Sequence, residues 1–346
     1  MQKSTDAPWH TVSRTQIAHL PTPLEPLPRL SRELDGPMIW LKRDDCTGLA
    51  TGGNKTRKLE YLLAEALEQN CDTVMTFGAV QSNHARQTAA ACAKLGLQCH
   101  LALTRQVPSG ASNYTTGGNI LLGKLTGAHL HVLEPDTASD YVTELSNRLE
   151  QDGRRVYRIP AGGSNALGAL GYARCAEELS QQCAAQQIAP SHIVHASSSA
   201  GTQAGLIYGM ALLQDDQDSP QSATQILGIN VYHPDPADLR TRLRQLLEKM
   251  GNRFGQNAAL RAAEVHVNHA YIGEGYGLPT PETLQAISLA AELEGVLFDP
   301  VYSGKALAAL IDQINIGNLA NSSDVVMLHT GGSAALNVYT EQFSAS

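Results

Sequence analysis

Short runs of consecutive apolar residues alternate along the chain with longer segments in which apolar residues recur at helical spacing. Strands separated by helices in this way are typical of repeated βαβ units, so the pattern predicts an α/β fold with mainly parallel sheets. The runs that predict strands are 38–42, 73–77, 99–103, 129–133, 193–196, 226–231 and 325–329. The segments with helical spacing are 58–69, 85–95, 140–152 and 167–183.

Two glycine-rich stretches divide the chain into candidate domains, one near Asn54 and one over residues 162–171. With the junctions placed there, residues 1–54 and 172–346 are predicted to form a large domain, and residues 55–171 a small one. The polar stretch 214–224 is predicted to be a solvated connection between a helix and a strand.

The composition excludes several classes of protein. Of 346 residues, 42% are hydrophobic and 17% are charged, and the formal net charge is −8. Because no basic run is present, binding to nucleic acid or to an anionic membrane is not expected. The six cysteines form no C-x-x-C pair, and the first residues lack the apolar core of a signal peptide, so a cytoplasmic protein is expected. The twelve histidines are scattered, so no metal site is predicted.

The segment 51–59, TGGNKTRKL, places a lysine at the predicted start of a helix, directly after a glycine pair and an asparagine. The glycines allow the backbone to approach a ligand closely, and Asn54 is expected to cap the helix. The positive field at a helix start lowers the pKa of Lys55 and favours the neutral amine that a Schiff base needs. Together with Arg57 and Lys58 it suits an anionic ligand. A solvated basic helix start is the alternative.

A second loop, 197–202, has the sequence SSSAGT and lies between the predicted strand 193–196 and a helical run. Backbone N–H groups and hydroxyls at such a helix start form a cradle for phosphate. Neither a Walker lysine nor the G-x-G-x-x-G spacing of dinucleotide folds is present, so a compact monophosphate fits best. Small residues that merely allow close packing are the alternative.

Further polar loops carry candidate chemistry. Residues 81–84, QSNH, follow a predicted strand, where open α/β sheets bind ligands, although Ser82 or Asn83 could simply cap the next helix. Near the C-terminus, Tyr276 lies between two glycines and Tyr302 lies in the sequence DPVYSGK. Tyrosine hydroxyls in such positions need a hydrogen-bond partner when they are buried.

Taken together, the motifs resemble those of one family of enzymes. From about residue 20 to residue 339 the chain is similar to the pyridoxal-phosphate (PLP) enzymes of the aminocyclopropane-carboxylate deaminase and D-cysteine desulfhydrase family. Within that family it looks most like the L-cysteate sulfo-lyases. The motifs, in the family's order, are GGNKTRKLE, QSNHARQTAA, GGSNALGALGY, SSSAGTQAGL, GYGLPT, DPVYSGK and LHTGG.

The resemblance implies a homodimer of fold-type-II architecture, similar to the tryptophan synthase β subunit, with PLP between two α/β domains. It implies that Lys55 is the Schiff-base lysine and that Ser82, Tyr276 and Tyr302 complete the catalytic set. The implied cofactor contacts are Lys58, Ser199, Ala200, Gly201 and Thr202 to the phosphate, Asn83 to the ring hydroxyl and Thr330 to the ring nitrogen. The implied contacts of a small amino-acid substrate are Gln81, Ser82, Asn83, Thr56 and Tyr302.

Two positions differ from the cyclopropane deaminases, in which a glutamate follows the DPVY tyrosine and a leucine precedes the final glycine pair. Here these residues are Ser303 and Thr330. A neutral hydroxyl in place of the carboxylate weakens the electron sink of the ring, which a reaction with a good leaving group tolerates. The sequence therefore favours α,β-elimination from a small sulfur amino acid over ring opening.

The leaving group is either sulfite, from L-cysteate, or sulfide, from D-cysteine. The expectation favours sulfite, because Thr51, Thr56, Ser199 and Gln203 are candidate donors to a sulfonate. D-cysteine desulfhydrase is the alternative, followed by aminocyclopropane-carboxylate deaminase and by a non-catalytic metabolite-binding protein that has kept the fold.

Overall fold

A computed structural model of the protein describes residues 7–108, 111–214, 224–319 and 322–343. Most of the polar stretch 214–224, predicted to be a solvated connection, lies outside the described residues. The strands are β1 (Leu24–Pro26), β2 (Met38–Arg43), β3 (Thr73–Ala79), β4 (Gln98–Thr104), β5 (His129–Leu133), β6 (Val156–Ile159), β7 (His192–Ser197), β8 (Gln225–Asn230), β9 (His266–Asn268) and β10 (Asp324–His329).

Helices connect most of these strands. They are α1 (Pro8–Thr11), α2 (Pro28–Glu33), α3 (Lys55–Glu68), α4 (Asn83–Leu95), α5 (Gly118–Leu125), α6 (Ala138–Gln151), α7 (Ala166–Gln186), α8 (Gly201–Gln214), α9 (Pro236–Phe254), α10 (Asn257–Ala262), α11 (Pro281–Glu294), α12 (Ser303–Asn315) and α13 (Thr340–Phe343). Among the described residues, no helix combines the length and the hydropathy needed to cross a membrane.

The strands form two sheets. The larger has the order β1-β2-β10-β7-β8-β9, in which only β1 runs antiparallel to its neighbour, and the smaller has the all-parallel order β5-β4-β3-β6. The predicted α/β fold is confirmed, and each of the seven predicted strands is present. The three strands that the apolar pattern missed, β1, β6 and β9, have three or four residues each and lie at sheet edges.

The smaller sheet is formed by residues 73–159, which lie inside the span predicted as the small domain. Strands of the larger sheet come from both sides of that span. The exact junctions, at 54/55 and 171/172, remain predictions.

Helices α3, α7 and α8 pack against one another at unusually short range. A Cβ atom added at Gly171 of α7 would lie 2.4 Å from the carbonyl oxygen of Arg57 in α3. One added at Gly205 of α8 would lie 2.2 Å from the carbonyl oxygen of Ala169 in α7. Because these approaches leave no space for a side chain, the glycines set the distance between the helices that flank the two ligand loops.

A buried ionic cluster joins α3 to α7 and to the residues after β2. The guanidinium of Arg57 donates to Asp44 through Nε and Nη2, both at 2.8 Å, and to Glu178 through Nη1 and Nη2 at 3.0 and 2.9 Å. Arg57 and Asp44 are buried. Burial opposes the ionised carboxylate, but the charge of Arg57 prevails and holds the pKa of Asp44 below its usual value. Since Arg57 is neutralised here, the prediction that it adds charge to an anion site is wrong.

We expect Asp44→Asn to destabilise the protein by about 3 kcal/mol, because it leaves Arg57 buried with one carboxylate fewer. The measurement is the urea midpoint at neutral pH. The matched control is Glu25→Gln, which removes a partner of Arg43 from a pair in which Glu25 is 41% exposed. Such an exposed pair is worth about 0–1 kcal/mol. Equal midpoints for the two variants would show that the cluster does not hold α3 in place.

Candidate active site

A cavity of about 380 Å³ lies where strands of both sheets end. Its wall includes residues at or just after the carboxyl ends of β3, β6, β7 and β10. Open α/β sheets bind ligands at this edge, because the loops that follow the strands converge there. The predicted site residues that line it are Lys55, Ser82, Asn83, Ser199, Ala200, Thr202, Tyr276, Tyr302 and Thr330.

Lys55 is the first residue of α3 and lines this cavity. Within the described parts of the chain its amine has no hydrogen-bond partner. Burial lowers the pKa of Lys55 to about 8, so that a substantial fraction of the amine is neutral near neutral pH. Desolvation is therefore the cause of the shift that the sequence assigned to the helix field.

Asn54 does not cap α3, and this prediction is wrong. Its backbone is already helical, with φ −59° and ψ −20°, and its side chain makes no capping hydrogen bond. Instead its Nδ2 donates to the hydroxyl of Thr202 at 3.1 Å. The loop before Lys55 is thereby tied to the start of α8.

The turn between β7 and α8 forms one end of the cavity. Ala200 has a φ of +68°, a left-handed conformation that turns the chain sharply into the helix. Thr202, in the first turn of α8, is 6% exposed and lines the cavity. Because the first N–H groups of a helix have no partner within it, this end of the cavity favours an anion.

Lys58 and Ser164 stand behind this turn. The buried amine of Lys58 donates to the carbonyl of Gly162 and to the hydroxyl of Ser164, both at 3.2 Å. The Ser164 hydroxyl lies 2.7 Å from that of Ser199 and accepts from the N–H of Gly201 at 3.3 Å. Lys58 and Gly201 do not themselves line the cavity, but they lie in contact with residues that do.

Ser82 and Asn83 enter the cavity from the start of α4. The Ser82 hydroxyl accepts from the N–H of Ala85 at 3.2 Å, which makes Ser82 the cap that the sequence allowed for. Asn83 is 9% exposed, and its Oδ1 accepts from Nδ2 of Asn119 at 3.0 Å. The amide nitrogen of Asn83 is therefore the group that can meet a ligand.

Two tyrosine hydroxyls meet on the opposite side. The Tyr276 and Tyr302 oxygens lie 2.5 Å apart, and Tyr232 packs edge-on against Tyr276 with ring centroids 4.9 Å apart. Burial raises the pKa of both Tyr276 and Tyr302 far above that of free tyrosine. Both are therefore neutral proton donors at physiological pH.

Two predicted substrate contacts do not reach the cavity. Gln81 holds the chain before α5, since its Nε2 donates to the carbonyls of Tyr114 at 2.6 Å and Gly117 at 3.1 Å. Thr56 is fully buried, and its hydroxyl bonds Gln87 at 3.1 Å. Their side chains are already satisfied by the protein, so the structure assigns them to support rather than to direct contact.

Sequence reasoning missed three residues of the site. Tyr232 and Ser164 line the cavity, and Asn119 supports Asn83 from behind. A signal for two of them was present: Gly117-Gly118-Asn119 and Gly162-Gly163-Ser164 repeat the small-residue pattern that precedes Lys55. Tyr232 follows strand β8 with no distinguishing motif.

Fold and site together define an enzyme that holds a phosphate-bearing aldehyde through a lysine amine. The chain belongs to the pyridoxal-phosphate dependent enzyme family, which it matches over residues 15–331. It is 44% identical to a D-cysteine desulfhydrase of Salmonella choleraesuis and 43% identical to one of Salmonella paratyphi C, each over 94% of this chain and 96% of the relative.

Solved structures agree with this assignment. A crystal structure of an aminocyclopropane-carboxylate (ACC) deaminase homologue matches with a TM-score of 0.82 and 34% identity over 97% of this chain and 96% of that one. A threonine deaminase from T.th. matches with a TM-score of 0.63 at 18% identity over 90% of this chain and 92% of that one, which shows the fold alone. The predicted fold-type-II architecture and the PLP dependence are confirmed.

The residues present fit this cofactor. Lys55 offers an unpaired amine, the turn 197–202 with Lys58 and Ser164 offers an anion site, and Asn83 and Thr330 offer polar groups between them. A Cβ atom at Gly201 would lie 2.5 Å from the Ser164 hydroxyl and 2.9 Å from the Lys58 amine, so the cradle needs glycine there. When bound, PLP supplies the electron sink that makes bonds at Cα of an amino acid labile.

We expect the rate at which PLP attaches to the apo-protein to rise about tenfold from pH 7 to pH 9 and then to level off, because the amine must be deprotonated. The sign follows from the pKa of about 8, below which Lys55 is mainly protonated. Stopped-flow absorbance measures the rate, and Lys55→Ala, which lacks the amine, is the control and should yield no borohydride-fixed cofactor. A rate that keeps rising about tenfold per pH unit up to about pH 10 would show an unshifted lysine.

Gly201→Ala should weaken PLP binding without unfolding the protein. The added methyl group meets the flexible ends of Lys58 and Ser164, and overpacking of this kind costs about 1–3 kcal/mol, or roughly 5- to 150-fold in Kd. Titration of the apo-protein with PLP measures it. Gly123→Ala is the matched control, since its nearest contact is an ordinary 3.5 Å to Leu101. Equal cofactor affinity in both variants would place the phosphate elsewhere.

Proposed function

We propose that the protein is a PLP-dependent carbon–sulfur lyase of the D-cysteine desulfhydrase type, which converts D-cysteine and water to pyruvate, ammonia and hydrogen sulfide. The single observation that carries the choice of leaving group is the fate of the four residues expected to bind a sulfonate. The relatives named D-cysteine desulfhydrase, at 44% identity, support the same reading.

Three of those four residues lie away from the cavity. Thr51 is exposed on the surface, and Thr56 is buried against Gln87. Gln203 is fully buried, where its Oε1 accepts from Ser197 at 2.8 Å and its Nε2 donates to a backbone carbonyl at 2.7 Å. Of the four, Ser199 alone lies at the wall. A sulfonate would therefore lack the donors that a buried anion requires, whereas a thiol needs few.

The chain's own groups divide the work of the elimination. The Lys55 amine, released when the substrate amine takes its place, lies ready to accept the proton from Cα. Ser82 and the first N–H groups of α4 offer donors to the substrate carboxylate. The paired hydroxyls of Tyr276 and Tyr302 supply a proton to the departing sulfur, since both are neutral at working pH. The site encloses these groups and limits the access of water.

Ring opening of aminocyclopropane carboxylate is less consistent with the site. Ser303, which replaces the deaminases' glutamate, is fully buried, and its hydroxyl donates to Asp299 at 2.6 Å. It offers no carboxylate to the cofactor ring. L-cysteate sulfo-lyase is the second candidate, and one observation favours it: Arg242, a cation on α9, lines the cavity and could meet a sulfonate.

We expect D-cysteine to release sulfide with a higher kcat/KM than L-cysteate releases sulfite, and aminocyclopropane carboxylate to be the poorest of the three. Sulfide, sulfite, pyruvate and 2-oxobutanoate are assayed separately on the purified enzyme. Arg242→Gln is the discriminating variant and should leave the D-cysteine reaction nearly unchanged. Faster turnover of L-cysteate, together with its loss in Arg242→Gln, would establish the sulfo-lyase instead.

A homodimer and a cytoplasmic location are part of this proposal. Size-exclusion chromatography with light scattering tests the first, and fractionation of the source cells tests the second.

A further inference from the structure

Asn119, at the start of α5, connects a buried arginine to a wall of the cofactor cavity. Its Oδ1 accepts from Nε of Arg86 at 2.8 Å. Its Nδ2 donates to Oδ1 of Asn83 and to the backbone carbonyl of Gln81, both at 3.0 Å. Asn119 is 4% exposed and Arg86 is 1% exposed, so water does not compete for these bonds.

The direction of every bond in this series follows from its first member. Arginine carries only donors, so the oxygen of the Asn119 amide must face Arg86. The nitrogen of Asn119 then faces Asn83 and can only donate, so the oxygen of the Asn83 amide is occupied. The part of Asn83 left for the cavity is its NH₂ group, which is a donor.

Arg86 also fixes the loop that precedes Lys55. Its Nη1 donates to the carbonyls of Gly52, at 2.9 Å, and Ala50. Burial lowers the pKa of Arg86 to about 10, which leaves it charged at neutral pH, and no carboxylate pairs with it among the described residues. One buried cation therefore sets the position of the lysine loop and polarises the two amides that lead to Asn83.

We propose that Arg86 and Asn119 are positioning residues that hold Asn83 as a hydrogen-bond donor toward the ring oxygen of PLP. A donor at that oxygen favours its deprotonated form. The inference rests on cofactor binding and does not depend on which amino acid is the substrate.

The test is Asn119→Asp, which keeps the size of the side chain and its contact with Arg86. The aspartate cannot donate, so it repels Oδ1 of Asn83 and forces that amide to turn its oxygen into the cavity. We expect about a tenfold or greater rise in the Kd of PLP. We also expect the pH at which the visible band of the bound cofactor changes to move upward. Both are measured on the full-length protein, without turnover.

Asn119→Ala separates positioning from mere structural support. Alanine leaves Asn83 free to rotate, so positioning predicts weaker effects in Asn119→Ala than in Asn119→Asp. Structural support predicts the reverse order, because aspartate preserves the contact with Arg86. In a double variant, Asn83→Ala should abolish any further effect of Asn119→Asp. Wild-type affinity and titration in Asn119→Asp, the reverse order, or independent effects in the double variant would each overturn the proposal.

Discussion

The contact of Arg57 with Asp44 and Glu178 determines where the reactive lysine lies. A helix that begins with Lys55 and continues through Lys58 would ordinarily expose these cations to water. Arg57 turns the opposite face of the same helical turn into the core, where two carboxylates compensate its charge. The first turn of α3 is thereby immobilised, and Lys55 and Lys58 can be directed at the two ends of one ligand.

Once α3 is fixed, the site carries more buried positive charge than the described carboxylates around it match. Burial lowers the pKa of both Lys55 and Lys58, and the charge of Lys55 adds to the effect on Lys58. Arg86 is a third buried cation, and its partners in the described chain are carbonyls and an amide. Desolvated cations of this kind are costly unless an anion joins them. A phosphate placed against the start of α8 supplies that anion, so PLP binding should also stabilise the fold.

The sequence predicted the elements and loops that form the site more reliably than it predicted what individual side chains do there. Apolar runs located the central strands, because these are buried on both faces, and failed for the short edge strands β1, β6 and β9. Lys55 and the turn 197–202 were found because glycine and small polar residues at helix starts have few other uses. Gln81 and Thr56 were assigned to the substrate because spacing shows which loop a residue occupies but not where its side chain points.

The same limit explains the leaving group. Thr51, Thr56 and Gln203 are close in sequence to the ligand loops, yet burial and prior hydrogen bonds remove them from the cavity or exposure places them outside it. In a family that shares one cofactor site, specificity must come from the few cavity residues that the cofactor does not use. Here these include the neutral pair Tyr276 and Tyr302, which can protonate a departing thiolate. Sulfite is a weak base that needs no such proton, whereas a thiolate leaves more readily as the thiol. Two paired proton donors beside an otherwise donor-poor wall therefore favour sulfide over sulfite.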